Sequence, residues 1–135
     1  MNIEHIGIAV KNLEKAIELY TILFPEARIV EENVPDKTMK MVILHGENIK
    51  LELMEPLIED SVIAKFIEKR GEGIHHIAYK VDDIYEAIRK AERAGCKITR
   101  DPYIGAEGNL ICFLHPKGTF GVLTEFVKPG EMKDL

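Results

Sequence analysis

The chain carries one pattern twice. Ile3-Glu4-His5-Ile6-Gly7-Ile8-Ala9-Val10 returns 71 positions later (76 minus 5) as Ile74-His75-His76-Ile77-Ala78-Tyr79-Lys80-Val81. A repeat of this length means two copies of one supersecondary unit, so it constrains the fold before any single element is assigned. At the same offset Leu13 meets Ile84, Ala16 meets Ala87 and Ile17 meets Ile88. Leu13, Ala16, Ile17 and Tyr20 follow the i, i+3, i+4, i+7 spacing of an amphipathic helix, as do Ile84, Ala87, Ile88 and Ala91. Asn12 and Asp83 stand where helix N-caps belong.

A second echo closes each copy. Leu51-Glu52-Leu53-Met54-Glu55-Pro56 matches Thr124-Glu125-Phe126-Val127-Lys128-Pro129 at an offset of 73 (125 minus 52), which a two-residue insertion in a turn of the second copy accommodates. Between the landmarks, strand-like runs lie at residues 27–31, 39–44 and 49–54 of the first copy. In the second they lie at 97–100, 110–114 and 121–127. Each copy therefore reads strand, helix, three strands. The connecting segment predicts a short helix capped by Asp60 or Ser61, with Val62, Ile63, Phe66 and Ile67 on its apolar side and Gly71 and Gly73 at its end. The expectation is a single α+β domain over 1–135: module one about 1–57, a helical linker about 58–72, module two about 73–129 and a tail at 130–135.

At 135 residues the chain is long enough to bury one core without disulfides, and 46% hydrophobic with 30% charged residues is an ordinary globular composition. A net charge of -5 with scattered cations argues against nucleic acid as a partner, since that binding needs clustered Lys and Arg. No apolar run approaches the roughly 20 residues of a membrane span. The two cysteines, Cys96 and Cys112, and the lack of a visible secretion signal lead to reduced thiols in small apolar sites and a cytoplasmic protein.

The repeated ionisable residues suggest chemistry. His5 and Glu52 are matched by His76 and Glu125, with spacings of 47 (52 minus 5) and 49 (125 minus 76). If the modules pack about a pseudo-twofold axis, two imidazoles and two carboxylates converge. That donor set suits one divalent transition ion, whereas calcium or magnesium prefers oxygen alone. Isolated carboxylates among apolar strand residues are otherwise costly to bury. His75 points to the opposite strand face from His76. His45 falls in a probable-turn composition, His45-Gly46-Glu47-Asn48, and His115 opens the turn His115-Pro116-Lys117-Gly118; both are expected at the surface.

A duplicated strand-helix-three-strand unit with His in its first strand and Glu in its last resembles the vicinal oxygen chelate superfamily, over nearly the whole chain. Within it, Glu59 through Ile77 resembles the methylmalonyl-CoA epimerase family, as do Phe113-Leu114-His115-Pro116-Lys117 and Gly121-Val122-Leu123-Thr124-Glu125. The resemblance implies two βαβββ modules curled into an open, mostly antiparallel, barrel-like sheet around a metal cleft. It also implies interconversion of (R)- and (S)-methylmalonyl-CoA by α-proton exchange through a metal-stabilised enolate. The ligands would be His5, Glu52, His76 and Glu125, with cobalt or manganese favoured and nickel or zinc possible. Glu52 and Glu125 would carry the proton. Some family members place a further Glu on the strand corresponding to 39–44, where this chain has Lys40. Lys40, Ser61, Lys65 and Lys117 are candidate contacts for an acyl-CoA thioester, and a homodimer is expected. Glyoxalase I, a lactoylglutathione lyase-like isomerase of hemithioacetals, can carry the same ligand quartet. A non-catalytic small-molecule binder of the same fold is a third reading.

Overall fold

Residues 1–35 and 37–130 are described by a computed structural model of the chain. Most of the expected 130–135 tail lies outside them. The elements run β1 (Ile3–Ala9), α1 (Leu13–Leu23), β2 (Arg28–Glu32), β3 (Met39–His45), β4 (Lys50–Pro56), α2 (Val62–Arg70), β5 (Gly73–Lys80), α3 (Ile84–Arg93), β6 (Tyr103–Ile104), β7 (Leu110–Leu114) and β8 (Thr124–Lys128). The strand-helix-three-strand order is thus present twice. The chain forms two compact units, one spanning His5–His75 and the other joining Met1–Glu4 to the residues from His76 onward. The first residues belong with the second unit, where the Lys80 N–H donates to the Asn2 carbonyl at 2.8 Å.

In the first unit β2 pairs antiparallel with β3, β3 antiparallel with β4, and β4 parallel with β1. Strand alternation gives this sheet two different faces. Val42 and Leu44 of β3, Leu51 and Leu53 of β4, and Ile8 of β1 pack with Val10 against Leu13, Ala16, Ile17 and Tyr20 of α1. His5, Gly7 and Ala9 occupy the other face of β1, and all three are buried. Two side chains hold the start of α1. Asn12 Oδ1 accepts from the Lys15 N–H at 3.1 Å, and Glu55 Oε1, reaching from β4, accepts from the Leu13 N–H at 2.9 Å. Two of the orphan donors of the first turn are thereby satisfied.

Module two repeats this plan. β6 pairs antiparallel with β7, β7 antiparallel with β8, and β8 parallel with β5. Ile84 and Ile88 of α3 bury against Cys112, Leu110 and Phe126 on one face. Ala78, Ile111 and Val127, with Phe113 and Tyr103, fill the other. Asp83 Oδ1 accepts from the N–H groups of Tyr85 and Glu86, both at 3.1 Å, so the expected cap is present.

The linker helix forms, capped by Ser61 rather than Asp60: Ser61 Oγ accepts from the Ala64 N–H at 3.0 Å. Ile63 is buried, but Val62, expected on the apolar side, is 61% exposed because the first helical position turns outward there. Gly71, at φ 78, ends the helix, whereas Gly73 opens β5. The largest departure concerns residues 97–100, expected as a strand. They make only an isolated bridge, Ile98 to Leu114, with two backbone hydrogen bonds to the β7 region, and the paired strand is the two-residue β6. Asp101-Pro102 separates the two stretches, and proline cannot donate to a ladder. Likewise β8 begins at Thr124 rather than 121, after a turn whose Gly121 sits at φ 85. His45 is the last residue of β3, paired with Lys50, rather than a turn residue.

Candidate metal centre

Each His–Glu pair is assembled within its own unit by parallel strand pairing. β1 runs parallel to β4 with Gly7 beside Glu52, and β5 runs parallel to β8 with Ala78 beside Glu125. The small side chains at those two positions leave room for a carboxylate. His5 and His76 lie two residues before Gly7 and Ala78, on the same strand face. In both modules this is the face turned away from the module's αβ core, where Ile8, Leu51 and Leu53 or Leu110, Cys112 and Phe126 meet a helix.

The resulting geometry is nearly the same in the two copies. His5 Nε2 lies 3.1 Å from Glu52 Oε2, and His76 Nε2 lies 3.0 Å from Glu125 Oε1. All four residues are buried, at 3–5% exposure. A neutral imidazole nitrogen and a carboxylate oxygen both offer lone pairs, so at this separation a proton or a cation must stand between them. Each pair therefore has the donor chemistry of a divalent transition ion: one borderline nitrogen, one anionic oxygen and little competing water.

The surroundings of the two pairs differ in one respect that the repeat did not reveal. Across the antiparallel ladder from Glu52 stands Ile43; across from Glu125 stands Phe113. The Phe113 ring meets the His76 imidazole edge to face, with centroids 5.4 Å apart and planes at 87°. Phe113 read only as one apolar member of a strand. Pairing the residue opposite each repeated Glu was the signal that could have singled it out.

His75 faces away from His76 and packs its ring against Phe66 of α2, at 5.0 Å and 81°. His115 is exposed and caps the 3₁₀ turn at 116–119, its Nδ1 accepting from the Lys117 N–H at 3.2 Å. Ser61 is buried and engaged as the α2 cap. Lys65 is exposed, with its Nζ 3.0 Å from Asp60. Lys40 is exposed opposite Glu55, on the strand face shared with Val42 and Leu44 and away from the face of Ile43 and Glu52. Lys117 is exposed on its turn. Both cysteines are free. Burial, with Asp101 and Glu92 nearby, pushes the Cys112 thiol up to about 11.

Residues 4–113 match the family model described as the Glyoxalase/Bleomycin resistance protein/Dioxygenase superfamily, and the chain belongs to that superfamily. Within it the chain is a member of the methylmalonyl-CoA epimerase family of isomerases. The ethylmalonyl-CoA/methylmalonyl-CoA epimerase of Cereibacter sphaeroides is 38% identical over 91% of this chain and 94% of its own. The crystal structure of methylmalonyl-CoA epimerase from Mycobacterium tuberculosis is 35% identical, with a TM-score of 0.89 over 98% of this chain and 91% of that one. A variant of the Streptomyces coelicolor methylmalonyl-CoA epimerase, solved in complex with 2-nitronate-propionyl-CoA, is 32% identical, with a TM-score of 0.87 over 97% of this chain and 96% of that one. No helix among the described residues is long and apolar enough to cross a membrane.

Proposed function

We propose that this chain interconverts (R)- and (S)-methylmalonyl-CoA by exchanging the proton at the α-carbon, with one divalent transition ion held jointly by His5, Glu52, His76 and Glu125. The observation that carries the reading is the buried His–Glu pair found at 3.0–3.1 Å in each of two duplicated modules. Similarity over nearly the whole chain to enzymes named for this reaction supports the substrate class. In this reading the two modules act as one domain over 1–135; the mixed nitrogen and oxygen donors suit a divalent transition ion, and the family resemblance makes cobalt or manganese the first ions to test.

Epimerisation needs one group to remove the α-proton and another to return it on the opposite face. Glu52 and Glu125 are the two carboxylates related by the repeat, and in this scheme each serves one face of the substrate. His5 and His76 act as ligands in this scheme. Burial of the four residues keeps water from competing for the proton. When bound, the ion supplies Lewis acidity toward the thioester carbonyl and the malonyl carboxylate, which acidifies the carbon between them. Lys40 is no proton carrier in this scheme, since its strand face is not that of Glu52. Ser61, Lys65 and Lys117 are retained as candidate CoA contacts. A homodimer in the cytoplasm completes the proposal, the latter in keeping with two free thiols.

The test is incubation of the purified, metal-loaded protein with one epimer of methylmalonyl-CoA in deuterated water. Deuterium entering the α-position together with loss of optical purity is the expected result. Turnover of a methylglyoxal hemithioacetal without such exchange would select a glyoxalase I activity instead. Failure to turn over either compound, with metal bound, would leave a small-molecule binder.

A further inference from the structure

We propose that Phe113 is a positioning residue that holds the His76 imidazole with Nε2 toward Glu125. The inference rests on the proposed function for its metal but not for its geometry. The repeat places equivalent groups at His5 and His76, at Glu52 and Glu125, and at the small neighbours Gly7 and Ala78. It breaks at the residue facing each Glu across the ladder, which is Ile43 in one module and Phe113 in the other.

An imidazole turns easily about its Cβ–Cγ bond, because that torsion has broad wells. A second ring packed perpendicular to it, at 87° and 5.4 Å, obstructs that rotation on one side. Phe113 is itself well anchored. Its ring belongs to the cluster of Ala78, Ile111, Val127 and Tyr103, and its carbonyl accepts from the Thr99 N–H at 2.9 Å. The matching position in module one, Ile43, is fully buried and aliphatic. Hydrogen-bonded groups that orient a metal-ligating histidine typically change metal affinity by about 10- to 100-fold when removed, and a ring contact, a weaker restraint, belongs at the low end of that range.

The experiment compares Phe113→Leu, which keeps apolar bulk, with Phe113→Tyr, which keeps the ring. In metal-free protein, NMR signals of the His76 ring protons should lose their ring-current displacement in Phe113→Leu and keep it in Phe113→Tyr. Calorimetric titration with manganese should show affinity about tenfold weaker for the leucine variant and near wild type for the tyrosine variant. Unchanged His76 signals and affinity in Phe113→Leu would overturn the proposal. So would an equal loss of affinity in both variants, which would mean that bulk rather than the ring matters. If Phe113→Leu does not fold, Phe113→Met is read by the same two measurements. Because neither readout uses turnover, absence of epimerase activity would count against the proposed function and leave this inference standing.

Discussion

At the residue level, each glutamate has two duties in the proposed scheme and each histidine one. Under the proposed function, Glu52→Gln and Glu125→Gln would each remove a proton carrier and an anionic donor while preserving shape. Each is expected to slow α-proton exchange by about 10²- to 10⁴-fold, measured as deuterium incorporation with metal bound. Full activity of Glu52→Gln would mean that the second carrier is another group. The cysteines give an independent check on packing. Cys112 is 0% exposed with its thiol held at about 11, whereas Cys96 is half-buried. In native protein an alkylating reagent should therefore modify Cys96 alone, with Cys112 reacting only after denaturation; mass spectrometry of the two peptides reads this directly. The sign of the linkage follows from the raised value. The unfolded thiol titrates near 9.0 and the folded one near 11, so its contribution to stability is intact below pH 9 and is lost as pH rises toward 11. In Cys112→Ser, that segment of the stability–pH curve should flatten.

At the scale of the element, the helices were legible because their caps and apolar stripes are local. Asn12, Ser61 and Asp83 each satisfy an N-terminal donor of the helix they precede. Ser61→Ala should cost about 1 kcal/mol, visible in chemical denaturation, because its hydroxyl is buried and already committed to the Ala64 N–H. Leu53→Ala, which empties a fully buried position under α1, should cost about 2–5 kcal/mol in the same assay. Strands were legible where both flanking turns were clear, as at 110–114, and misplaced where they were not. Residues 97–100 carry strand-like composition, but Asp101-Pro102 stops the ladder, and pairing resumes with Tyr103 under the Arg100 guanidinium, 3.5 Å from the ring centroid. Pro102 marks the break locally, but where pairing resumes depends on the partner strand.

At the scale of the whole molecule, the duplication made the four candidate ligands visible, since a matched pair of ionisable residues in apolar strands is hard to explain by packing alone. The sequence could not show which strand face each pair occupies, nor that Gly7 and Ala78 sit beside the two glutamates, because strand register is tertiary information. The insertion is also subtler than a single event. From His to the residue opposite Glu the second copy is one residue shorter (113 minus 76 against 43 minus 5), and from there to Glu it is three longer (125 minus 113 against 52 minus 43), the surplus lying in the connection that contains the 116–119 turn. In the proposed function two copies of one pair serve a single ion. Calorimetric titration of metal-stripped protein with manganese tests it most directly, alongside His5→Ala and His76→Ala. The expected result is one ion per chain, with affinity falling sharply in either variant alone. Two ions per chain, or one variant that binds as tightly as the parent, would contradict it.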